Sequence, residues 1–73
     1  MKITYDKSVD AAYIYLTDGI EAGGVEKTYC CDPLEVNGQI HLDFDKQGRL
    51  IGIEVLGAVK LLPEELLFSA TKR

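Results

Sequence analysis

Residues Asp43 to Glu54 read DFDKQGRLIGIE, with carboxylates at the first and third places, glycine at the sixth and glutamate at the twelfth. That spacing is close to the calcium-chelating loop of an EF-hand, where carboxylates at those places and a terminal bidentate glutamate surround the ion. Such a loop is held by two flanking helices, and neither flank is helical in pattern. Upstream, Asn37-Gly38-Gln39-Ile40-His41-Leu42 alternates behind a turn signal; downstream, Ile51-Gly52-Ile53-Glu54-Val55 alternates with a glycine inside it. The fifth place holds Gln47, longer and uncharged, where Asp, Asn or Ser usually chelates. The stretch is therefore read as a β-hairpin.

A four-residue turn at Asp45-Lys46-Gln47-Gly48 would set Phe44 opposite Arg49, Leu42 opposite Ile51 and Ile40 opposite Ile53. Ile40, Leu42, Phe44, Ile51, Ile53 and Val55 then share one face, and His41, Asp43, Gly52 and Glu54 the other. Register decides which side chains meet the core. A loop of odd length would put Asp43 beside Ile51 and spoil both faces, so the even turn is expected.

The rest of the chain fits a small sheet. Met1 to Tyr5 alternates as a half-buried strand, and Ala11 to Thr17 is rich in β-branched and aromatic residues. The alanines at the start of that second run also allow a helical turn continuing from Ser8. Val25 to Cys31 alternates again and is stopped by Asp32-Pro33, since proline has no amide proton to give a ladder. Asn37-Gly38 is a turn, because both residues tolerate positive φ. Pro63 suits the first turn of a terminal helix, with Glu64 and Glu65 at its positive end and Lys72 and Arg73 at its negative end.

Seventy-three residues make one domain, residues 1–73. The 47% hydrophobic and 27% charged content is globular and opposes disorder. A formal charge of −4 opposes nucleic-acid binding, which needs a basic stripe. No apolar run approaches the roughly 18 residues of a membrane span, and no secretion signal opens the chain, so a cytoplasmic protein is expected. Cys30 and Cys31 read as reduced strand residues of a reducing compartment, with a soft-metal dithiol as the alternative. No pattern implies a cofactor.

His41, Asp43 and Glu54 form the one polar constellation with chemical potential, as metal ligands or an acid–base set. Against that stands the solubility every wet sheet face requires. No nucleophile triad or phosphate loop accompanies them, and no enzyme is expected. The tyrosines at 5, 13, 15 and 29 would serve as RNA-stacking platforms only beside Lys and Arg, and the charge here has the opposite sign. They are read as core and interface.

"ITYDKSVDAAYIYLTD", "IHLDFDKQGRLIGIEVLGA" and "LLPEELL" resemble a small prokaryotic family called domain of unknown function 2283. The similarity runs from Ile3 to Leu67 and is most specific between Leu42 and Ala58. The segment from Glu21 to Asn37, with its cysteine pair, departs from it. The family brings no catalytic residues to carry over. It implies at most an antitoxin-like role toward a small toxin-like partner.

The expected architecture is α+β: an antiparallel meander of about five strands with a short C-terminal helix. That helix packs Leu62, Leu66, Leu67 and Phe68 into so short a span that one face cannot hide them all. A chain of this size buries only about 60% of its unfolded surface. A homodimer through those four residues is the expected remedy, engaging a basic protein as partner. The alternative is a metal- or ligand-binding protein using the polar face of the 39–56 hairpin.

Overall fold

The computed structural model describes residues 1–72. Its strands are β1 (Lys2–Asp6), β2 (Ala11–Tyr15), β3 (Lys27–Cys30), β4 (Gln39–Phe44), β5 (Leu50–Leu56) and β6 (Thr71–Lys72). Three short helices join them: α1 (Pro33–Val36), α2 (Ala58–Leu61) and α3 (Glu64–Ser69). The class is α+β. The five-strand meander is corrected to a mixed six-stranded sheet in the order β3-β4-β5-β2-β1-β6. Only the β1–β6 pair is parallel.

Apolar content explains the order. β2 (AAYIY) and β5 (LIGIEVL) are the richest strands and take the centre, paired with each other. β3 (KTYC) is exposed throughout and takes an edge, where polar side chains cost least. The residues between β2 and β3 therefore join two strands that are not neighbours in the sheet instead of closing a hairpin.

The hairpin register is also corrected. Asp45 N–H donates to the Arg49 carbonyl at 2.9 Å and Gly48 N–H to the Asp45 carbonyl at 3.0 Å, so the loop has the odd length. Gly48 sits at φ 80°, the left-handed place of a three-residue loop. The spoiling of the faces is averted two residues further in. Phe44 pairs with Leu50 but Asp43 with Gly52, so Ile51 is a bulge that absorbs the extra residue. Beyond it Leu42 faces Ile53 and Ile40 faces Val55, and the apolar and polar faces survive. Asp45 organises the loop. Its Oδ1 accepts from the Gln47 and Arg49 amides, and its Oδ2 from Arg49 Nε, each at 2.9 Å. Chiefly the Arg49 amide bond, together with its guanidinium, holds the carboxyl below the usual aspartate range.

Asn37-Gly38 ends a helix and not a hairpin strand. Asn37 takes φ 56° after α1, and Gly38 N–H returns to the Pro33 carbonyl at 3.1 Å, a Schellman closure. The terminal helix stops at Ser69, shorter than its charge pattern implies, because Leu67 and Ala70 turn into the core. Lys72 lies in β6 beside β1, yet its ammonium still reaches back to the Leu67 carbonyl. Arg73, the other expected cation of that helix end, lies outside the described residues.

One face of the sheet carries the core: Tyr5, Ala12, Val55, Ala58, Leu67 and Ala70, with Ile3, Ile40, Ile53, Leu61 and Leu62 packed at its margin. Val55 is the sole large side chain hidden completely among the described residues, so the core is thin. Asp10 ties it together. Held at φ 53°, it takes Gly57 and Ala58 N–H on its carbonyl at 2.9 and 3.0 Å. Its Oδ1 accepts from Val59 N–H at 3.1 Å and from the Tyr5 hydroxyl at 2.8 Å. Gly57 has no side chain to cap α2, and Asp10 does so from a distant turn.

Candidate functional site

The face turned away from the core is organised by cross-strand rows. Directly opposed residues share a face, and one row runs Thr4, Tyr13, Glu54, His41, Cys30 through β1, β2, β5, β4 and β3. A second runs Tyr15, Gly52, Asp43, Thr28. The three expected site residues all lie here, but with different partners. His41 Nδ1 is 2.9 Å from Glu54 Oε1, straight across the ladder. Asp43 lies diagonal to Glu54 and takes Tyr13 Oη on Oδ2 at 2.5 Å and Thr28 Oγ1 on Oδ1 at 2.6 Å. Among the described residues, no group of three or more His, Cys, Asp and Glu is placed to hold a metal ion.

Gly52 makes the Tyr13–Asp43 bond possible. The phenol must cross β5 to reach β4, and it lies where a side chain at residue 52 would stand. A Cβ there would sit 2.0 Å from the Tyr13 hydroxyl. An isolated glycine inside a strand is a signal of close approach, and it marked this crossing in the sequence. Burial, then the bond to Asp43, pushes the Tyr13 phenol well above its ordinary value of 10.0. Tyr15 stands edge-on to Tyr13 with centroids 4.7 Å apart, and the Lys2 ammonium lies 5.3 Å from the Tyr15 centroid. With Ile20 and Val25 of the long connection, Asp6 and Glu54, these rings line an open cleft of about 390 Å³. Thr4, Tyr13, Tyr15, Thr28, Gly52 and Cys30 are the members of these rows that sequence reasoning left out of the site.

The four expected interface residues divide as well. Leu67 is 8% exposed and belongs to the monomer's own core. Leu62 packs at the core margin, and Leu66 is half-buried. Phe68 alone points fully outward, 80% exposed, with Val59 of α2 beside it at 66%. Together they wall an apolar groove of about 540 Å³ floored by Tyr5 and Leu67, with Lys7, Glu64 and Lys72 on its rim.

A family model described as protein of unknown function (DUF2283) matches residues 2–58. The chain belongs to that family. No curated protein matches the chain, and no solved structure does. The match contains every residue of the polar face and also Asp10. It ends at Ala58, so Val59, Glu64 and Phe68 lie beyond it. No helix among the described residues is long and apolar enough to cross a membrane.

Proposed function

We propose that this is a non-enzymatic interaction module of the cytoplasm, a homodimer that engages and restrains a basic protein in the manner of an antitoxin. The carrying observation is the groove walled by Phe68 and Val59. Hiding a side chain of that kind is worth about 1.5–3 kcal/mol, and the thin core leaves the monomer with little to spare. The rim carries both signs, Glu64 with Lys7 and Lys72, so a second copy laid across it by a two-fold axis brings acid and base to the same seam. A self-complementary patch of that kind is what an isologous interface needs. Each chain brings a charge of −4, which gives −8 to the pair (2 × −4), and such a field steers a basic partner.

Light scattering across a wide concentration range tests the dimer. Twice the chain mass of 8.1 kDa is expected, and Phe68→Glu should return single chains. A wild-type protein of 8.1 kDa at every concentration removes this reading. For the partner, Glu65→Lys should slow capture and flatten its dependence on salt; unchanged kinetics would mean that the acids do not steer.

A further inference from the structure

The longer row of the open face ends on a thiol. Cys30 is the cross-strand partner of His41, and His41 of Glu54, so three side chains stand abreast on three adjacent strands. Cys31 N–H bonds the Ile40 carbonyl at 2.9 Å, which makes that the hydrogen-bonded pair of the ladder. Cys30 and His41 are then a non-hydrogen-bonded pair, the kind in which opposed side chains stand closest. His41 Nδ1 lies 2.9 Å from the Glu54 carboxylate, and the tautomer that donates from Nδ1 leaves Nε2 as the accepting ring nitrogen. Cys30 is a free thiol, open to solvent. A thiol, an imidazole with its basic nitrogen free, and a carboxylate fixing the tautomer are the parts that activate a cysteine nucleophile. Cys31 faces the other way, alongside Ile40.

We propose that Cys30 is a reactive thiol that exchanges with low-molecular-weight disulfides, with His41 as its base and Glu54 as the positioning residue. The Cys30 proton passes to His41 Nε2, and Sγ attacks one sulfur of R–S–S–R. The S–S bond breaks, and the departing thiolate takes the proton back from the imidazolium to leave as R–SH. One disulfide is consumed and one, between Cys30 and R–S, is formed. This assignment is independent of the dimer, since it uses no residue of the groove.

The test uses the full chain in two single-thiol forms, Cys31→Ser and Cys30→Ser, treated with the neutral probe bis(2-hydroxyethyl) disulfide and followed by mass. The Cys31→Ser form, which keeps Cys30, should react about tenfold faster than its counterpart. Adding His41→Ala should remove that advantage, and free imidazole in the buffer should restore part of it, which a purely structural role would not allow. Adding Glu54→Gln instead should slow exchange by about threefold, since the ring loses its charged anchor. If circular dichroism shows that His41→Ala unfolds the chain, Glu54→Gln carries the decision. Equal rates for the two single-thiol forms overturn the proposal, as do folded variants at 41 and 54 that exchange like their parent.

Discussion

On the helix-covered face of the sheet, Ala12, Val55, Ala58 and Leu67 meet through surface alone, and the single polar tip among them, the Tyr5 hydroxyl, is led out to Asp10. On the open face, Tyr13, Asp43 and Thr28 are joined by two short hydrogen bonds, and His41 by one to Glu54. The first face resists unfolding in proportion to the area it hides, whatever the details of fit. The second hides little, and its bonds replace bonds to water, so its net contribution is small. What it gains is position: the Tyr13 phenol and the Thr28 hydroxyl are both fixed on Asp43, and the His41 ring on Glu54.

The contrast is broken most directly at Leu67. Leu67→Ala removes a large side chain from a core that has few, and should cost about 3 kcal/mol in urea-induced unfolding. Phe68→Ala, one residue along the same helix, should change the unfolding of the dissociated chain by less than about 0.5 kcal/mol. Comparable losses at the two positions would mean that the groove is closed within a single chain and needs no second copy.

Gly52→Ala tests the open face and should cost less. The new methyl displaces the Tyr13 hydroxyl from its place 2.0 Å away, and the ring swings off Asp43. Losing a hydrogen bond to a charged acceptor should cost about 1.5–3 kcal/mol, offset by the better strand propensity of alanine. Tyr13→Phe added to Gly52→Ala should then cost almost nothing further, although alone it is destabilising. Additive losses in that cycle would show that the phenol keeps its bond by another path.

These two faces were not equally legible. The apolar set of the β4–β5 hairpin could be read from alternation, because burial imposes a period of two whatever the loop. The loop length and the bulge at Ile51 could not, since two irregularities that cancel leave the same pattern as none. Strand order was hidden because β2, besides pairing with β1, takes β5 and not β3 on its other side, a choice made by the whole sheet. Nothing local to Asp10 points to its partner Val59, which is 49 residues away. His41, Asp43 and Glu54 were found as a polar face, but their partners were not. The Tyr13–Asp43 bond spans 30 residues and an intervening strand. Gly52, noted only as a glycine inside an alternating run, was the one local trace of that crossing. Cys30 was read beside Cys31 along the chain, when its chemistry depends on His41 across the ladder.

The smallest effect is also the most specific to the open face. Because the folded chain holds the Tyr13 proton more tightly than the unfolded one, the unfolded chain is the first to lose it as pH climbs past about 10. Above that point the folded state binds more protons, and stability falls with rising pH; below it the contribution is present in full. Tyr5 adds to the same decline, its phenol raised first by the hydrogen bond to Asp10. Chemical denaturation at pH 9 and pH 11 should therefore show a loss in the parent that Tyr13→Phe reduces and Tyr13→Phe with Tyr5→Phe reduces further. A decline of equal steepness in all three proteins would place the alkaline sensitivity in the lysines and leave the phenol–carboxylate bond without thermodynamic weight.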